Sequence, residues 1–126
     1  MSVTDLRPAK TFTDGLVEHS LKYQRCTECR SAVFYPRMIC PTCGGSSLDW
    51  ETSAGLGTVY SLSTVPRRND VPVIVCLVDL DEGFRMMSVL VGDGAESGRI
   101  GDRVHATFSG DAEAPRVEFV EGVDGE

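Results

Sequence analysis

Four cysteines in the first half of the chain stand in two close pairs, Cys26-Thr-Glu-Cys29 and Cys40-Pro-Thr-Cys43, with ten residues between them. A C-x2-C pair at a tight turn sets two thiolates on one side of a tetrahedron, and a second pair completes a four-sulfur metal site. Gly44 and Gly45 follow the second pair and are expected to supply the positive φ that turns backbone amides toward sulfur. Zinc is the expected metal; a rubredoxin-like iron site uses the same four thiolates and stays open. A redox-active pair is the other alternative, but two pairs in series with so short a spacing fit metal better. Four cysteines leave no coordination position for water, so the expected role is structural rather than catalytic.

No other group of residues assembles a nucleophile, a base and an oxyanion hole. Cys76 lies in the most apolar segment of the chain, where a single cysteine is a small buried hydrophobe. His19 and His105 have no serine or cysteine constellation around them and read as solvated side chains. Asp79, Asp81 and Glu82 could mimic paired catalytic carboxylates and read better as an exposed hairpin tip. Arg67 and Arg68 follow Pro66 in a loop; guanidinium forks take phosphate well, but a solvated loop is the plainer reading. Gly92-Asp-Gly94 is not a phosphate loop, because no Lys-Ser/Thr follows.

The elements that must position these residues are mostly strands. The 126-residue chain contains 15 Val against 9 Leu, and β-branched side chains favour the pleated surface of a sheet. Thr11-Phe-Thr-Asp14 has capping-box spacing, so a short helix is expected over residues 12 to 22, with Phe12, Leu16, Val17 and Leu21 on its apolar side. The first ten residues read as a flexible arm. Strands are expected over Thr58 to Val65, Val71 to Leu80, Phe84 to Val91, Val104 to Phe108 and Arg116 to Val120. The second reads as buried on both faces, and Asp81-Glu-Gly83 as the turn of a hairpin. Five short strands with a long connection after the third suggest a Greek-key barrel of OB type. The chain therefore divides into an arm and short helix (1–22), a zinc ribbon (23–54), a five-stranded OB-fold barrel (55–122) and a tail (123–126).

Charge narrows the partners. Residues 1–54 carry six basic and six acidic side chains, whereas residues 55–126 carry six basic and thirteen acidic, so the net −7 lies in the second half. Nucleic-acid binders draw affinity from Lys and Arg on phosphates, so this balance opposes that partner. The longest apolar stretch, Val71 to Val78, is far short of the roughly 20 residues of a membrane span. No signal-peptide core is visible, and a cytoplasmic protein is expected, where paired cysteines hold metal more often than disulfides.

In order, Arg25-Cys26-x-x-Cys29, Phe34-Tyr-Pro-Arg37, Cys40-Pro-x-Cys43, Gly57-Thr-Val-Tyr-Ser61, an apolar strand, Asp81-Glu-Gly83-x-Arg85 and Ile100-Gly-x-x-Val104 resemble the acyl-CoA-associated zinc-ribbon/OB-fold proteins. These are also known as domain of unknown function thirty-five. The resemblance covers residues 12 to 120. It implies a rubredoxin-like ribbon joined to an OB barrel, with zinc on Cys26, Cys29, Cys40 and Cys43. It further implies a non-catalytic accessory or scaffold subunit. The expected partner is a thiolase-superfamily enzyme acting on acyl-CoA thioesters: a thiolase, an acyltransferase or an aldolase of steroid side-chain breakdown. Such a subunit has no activity alone but is required in a heteromeric enzyme complex of lipid or steroid metabolism. CoA contact is expected at Tyr35, Arg37, Tyr60, Arg67 and Arg68, whose rings and guanidiniums could receive adenine and phosphates. The alternatives from other classes are a nucleic-acid-binding ribbon/OB module and a stand-alone thioesterase.

Overall fold

The computed structural model describes residues 7–122. Residues 1–6 of the expected arm and the 123–126 tail lie outside them. The helix, α1, spans Pro8–Val17, earlier than the capping-box pattern at Thr11 predicts. Pro8 occupies the first turn with its φ already suited to a helix, and Arg7 precedes it with no side-chain cap bond. The helix stops at a Schellman motif: His19 N–H donates to Leu16 O at 3.0 Å and Ser20 N–H to Gly15 O at 2.8 Å. His19 itself takes the left-handed conformation, φ 61°. Leu21 therefore falls beyond the helix, yet it reaches the core at 1% exposure.

Three strands follow: β1 (Lys22–Cys26), β2 (Ala32–Val33) and β3 (Leu48–Thr52), an antiparallel sheet in the order β2-β1-β3. The second sheet is a closed barrel of β4 (Leu56–Arg67), β5 (Asp70–Leu80), β6 (Arg85–Val91), β7 (Arg103–Ser109) and β8 (Arg116–Glu121). Its order is β4-β5-β6-β8-β7, closed by β7 on β4, and β6 with β8 is its parallel pair. That is the five-stranded Greek-key arrangement of an OB-fold. The connection after β6 carries a 3-10 turn at Ala95–Ser97.

The expectation that Val71 to Leu80 is buried on both faces is corrected. Ile74, Cys76, Val78 and Leu80 are buried, while Val73, Val75 and Leu77 between them are only half-buried and Val71 is 65% exposed. A barrel strand has one face inside and one outside, so even an all-apolar run alternates in burial. The hairpin at Asp81-Glu82-Gly83 forms as expected: Leu80 N–H donates to Phe84 O at 2.8 Å, and Gly83 has φ 105°.

Ribbon and barrel share a core. Phe84 stacks on Phe34 and on Tyr23, both at 4.8 Å between centroids, and Phe12 of the helix meets Phe34 edge-on at 5.4 Å. A polar collar surrounds these rings. The Glu82 carboxylate accepts from the Ser53 hydroxyl at 2.7 Å and the Ala54 amide at 2.8 Å, while Arg25 Nη2 donates to Glu82 O at 3.1 Å. Tyr23 donates to Glu51; burial, then that carboxylate, pushes its phenol above the ordinary range.

Gly57 explains one glycine of the barrel's opening motif. A Cβ there would sit 2.7 Å from both Asp79 O and Val78 Cγ1, so any side chain forces β4 and β5 apart. Gly57→Ala should destabilise the protein by about 1–3 kcal/mol through overpacking, read as a lower urea midpoint at unchanged zinc content. A midpoint equal to wild type would show that the strands absorb the methyl.

Candidate functional site

Each cysteine pair sits on a turn that the sheet presents. Arg30 N–H donates to Cys26 O and Gly44 N–H to Cys40 O, both at 2.9 Å, so both knuckles close with the same backbone bond. The residue closing each turn has positive φ: Arg30 at 67° and Gly44 at 81°. Gly45, expected to share that role, has no such φ. A Cβ there would clash only with the Glu28 carboxylate, the mobile end of an exposed side chain. The amides of Thr42 and Gly45 point at Cys40 Sγ and Cys43 Sγ, each at 3.4 Å.

The four sulfurs lie within 4.8 Å of one another, and Cys26–Cys43 and Cys29–Cys40 are each 3.6 Å apart. Sulfurs at about 2.3 Å from a tetrahedral zinc stand about 3.8 Å from each other, whereas disulfide sulfurs are bonded at about 2.05 Å. The set therefore fits one metal ion and not two disulfides. Ser31, by its side chain and then its backbone, holds the Cys29 thiol down to about 6. Cys43 is pushed up to about 12: the Gly45 amide pulls it down, but Cys26 and burial outweigh it. Four thiolates this close cannot all ionise without a cation among them, which is what a bound Zn²⁺ supplies. Cys26 and Cys40 are buried against Val33 and Leu48, and Cys43 is exposed.

The residues expected to contact CoA are spread over the molecule. Tyr35 is 49% exposed and donates to Met87 O at 3.4 Å, tying the ribbon to β6. Arg37 is anchored through its backbone, where Gln24 accepts from its N–H at 2.6 Å and donates to its carbonyl at 2.8 Å. Tyr60 is the extra residue of a β-bulge between Val59 and Ser61, which throws its ring outward. The Arg85 guanidinium covers that ring at 3.4 Å and is held by Asp79 through Nε at 2.5 Å. Arg67, at the far end of β4, faces Asp70 at 3.3 Å, and Arg68 is exposed beside it. Arg67 lies seven positions beyond Tyr60 along the strand, roughly 23 Å at about 3.3 Å per residue. Arg85 belongs to the Asp81-Glu-Gly83-x-Arg85 motif, but neither its place over Tyr60 nor the bulge follows from sequence pattern; both depend on the β4–β5–β6 register.

The remaining chemistry-bearing residues have structural partners. Burial pushes the Cys76 thiol up to about 11, unsuited to a nucleophile. His19 stacks on Phe108 at 5.4 Å, and His105 Nδ1 faces Gly122 O at 3.2 Å. Asp81 is gripped by Arg103 at 2.7 and 2.8 Å, which holds its carboxyl below the usual range. No helix among the described residues is long and apolar enough to cross a membrane.

A four-cysteine ribbon whose aromatic edge is stacked into a closed OB barrel defines a zinc-ribbon/OB-fold protein. Residues 13–49 match the family described as "ChsH2, rubredoxin-like zinc ribbon domain" and residues 50–109 match "ChsH2, C-terminal OB-fold domain". The chain belongs to this ChsH2 (DUF35) family. A "DUF35 domain-containing scaffold protein" of Methanothermobacter thermautotrophicus is 31% identical over 96 residues, 71% of this chain and 72% of that one. A "Probable enoyl-CoA hydratase alpha subunit" of Thermomonospora curvata is 37% identical over 90 residues, 67% of this chain. The chain spans only 28% of that hydratase subunit. The solved structure of an "Ltp2-ChsH2(DUF35) aldolase" superposes with a TM-score of 0.81 at 29% identity, covering 96% of this chain and 99% of that one.

Metal analysis of the purified protein should give about one zinc per chain. Cys26→Ser and Cys43→Ser should each lose it and loosen the ribbon, because ribbon folding is coupled to metal binding. Chelation that leaves the ribbon's amide dispersion unchanged would remove the metal from the folding argument.

Proposed function

We propose that this protein is a non-catalytic accessory subunit that assembles with a thiolase-superfamily enzyme, an aldolase in the first instance, acting on acyl-CoA thioesters. The carrying observation is the superposition on the Ltp2-ChsH2(DUF35) aldolase chain, which extends over nearly the whole of both chains. The name of the hydratase relative, an enoyl-CoA hydratase alpha subunit, supports the same substrate class. The site's own chemistry agrees: zinc held by Cys26, Cys29, Cys40 and Cys43 fills its sphere with sulfur and acts as a crosslink, not a Lewis acid. CoA contact is proposed in two separate groups, Tyr35 with Arg37 on the ribbon and Arg67 with Arg68 at the hairpin tip. Tyr60 takes part only where Arg85 leaves its ring.

Co-expression with a thiolase-superfamily aldolase should yield one heteromeric peak in size-exclusion chromatography, with aldolase activity that falls when this chain is omitted. Separate elution together with activity indifferent to this chain would overturn the proposal.

A further inference from the structure

Apolar side chains left in water form a row on the side of the barrel that adjoins the ribbon. Leu77 of β5 stands opposite Met87 of β6 and Ser61 of β4. Its chain neighbours Cys76 and Val78 are buried, as is Met86 beside Met87, so Leu77 and Met87 face outward. The bulge adds Tyr60 to the same outer face, next to Ser61. Past β4, Gly101 N–H donates to Val59 O and Val59 N–H to Asp102 O, both at 2.9 Å, which brings the turn carrying Ile100 to that end of the row. At the other end, Tyr35 of the ribbon donates to Met87 O at 3.4 Å. Met87 is 59% and Ile100 69% exposed.

A polar row borders this band, and its charges are already paired. Arg85, Asp79, Thr58 and Arg103 stand in register across β6, β5, β4 and β7. Asp79 holds Arg85, while Arg103 donates to Thr58 Oγ1 at 3.0 Å and grips Asp81. A contiguous apolar strip with a polar border marks a surface on which another protein packs, and Tyr, Met and Arg are the residue types that interface cores favour. The strip is also preorganised. Arg85, flat over the Tyr60 ring at 3.4 Å and fixed by Asp79 through Nε and Nη2, has little freedom left to lose on contact.

Charge selects the occupant. The band lies on the part of the chain that carries six basic and thirteen acidic side chains. A second copy would set that acidic excess against itself, a like-charge juxtaposition that costs affinity. An enzyme that admits CoA must present cationic groups to its phosphates, and a surface beside such a mouth complements an acidic barrel.

We propose that this band is the docking surface for the acyl-CoA enzyme, with Met87, Leu77, Tyr60 and Ile100 seated on an apolar partner surface flanked by basic residues and Tyr35 at the ribbon end. The assignment rests on the accessory-subunit reading above, and the two fail in different ways.

The zinc-loaded full chain is titrated with a thiolase-superfamily aldolase by isothermal calorimetry at low and at high salt. Met87→Glu and Ile100→Glu should each weaken association at least about tenfold, because docking would desolvate the new carboxylate. Zinc content and unfolding midpoint should stay unchanged, since both positions are exposed. Met87→Leu and Ile100→Val keep the apolar surface and should bind within about twofold of wild type. High salt should weaken wild-type binding, as charge complementarity requires; an affinity indifferent to salt would remove the argument that selects this partner. Binding undisturbed by both glutamate variants would refute the surface and leave the accessory-subunit reading standing, whereas a wild-type chain that does not bind the enzyme overturns both. Alone, the chain should sediment as a monomer. A dimer that either glutamate variant dissociates would give the band to a second copy and rule out the enzyme as its occupant.

Discussion

The ring of Phe84 is the constraint on which the rest of the molecule depends. It follows the Asp81 turn just before β6, yet its ring stacks on two aromatics of the ribbon, Phe34 and Tyr23. Each such pair contributes about 0.5–1.5 kcal/mol beyond the area it buries, and burial of the ring itself contributes more. Tyr23 and Leu21 consequently sit in the same buried cluster as Val78, Met86 and Phe119 of the barrel. Ribbon and barrel thus share one buried cluster. Tyr23 and Cys26 lie three residues apart on β1, so one strand carries both a metal-site cysteine and a member of the aromatic joint.

The polar collar sets the angle at which the two parts meet. Hydrophobic stacking has little directional preference along the ring plane, whereas Glu82 bridging Ser53 and Ala54 fixes the segment between β3 and β4 against the hairpin turn. Arg25 closes the circuit by donating to Tyr23, Glu82 and Arg30 and pairing with Glu51. Exposed ion pairs of the Asp79–Arg85 and Asp81–Arg103 kind contribute only about 0–1 kcal/mol each. Their effect is on geometry: Arg85 is aimed flat over Tyr60, and Arg103 braces β7 against the hairpin tip. The acidic excess of the second half is therefore partly spent on its own arginines before any partner arrives.

Local chemistry was legible in the sequence, and long-range geometry was not. The cysteine spacing, the turn at Gly83 and the five barrel strands follow from residue types that act on their immediate neighbours. The helix start was misplaced because Thr11 and Asp14 satisfy a capping pattern that Pro8 overrides by its fixed φ. Nothing local says that Val73, Val75 and Leu77 face outward, since alternation in an all-apolar strand is decided by the closure of the barrel. The left-handed conformations of His19 and Arg30 were equally hidden, for glycine is the residue that advertises such a φ. Tyr60 is expected at a CoA contact, but the bulge that turns its ring outward exists only in the pairing of β4 with β5.

These particulars bear on what such a molecule can do. Cys76 is raised by burial to about 11, and Asp79 and Asp81 are bound to arginines. The thiolate cluster locks the ribbon, the aromatic joint locks the ribbon to the barrel, and the outer face of β4–β6 exposes Val65, Val71 and Met87 between charges already paired within the chain. A face of that kind supports contact by apolar fit rather than by long-range attraction. Behind that face, Phe84 just before β6 stacks on the ribbon's Phe34 and Tyr23, so the joint to the ribbon lies next to it.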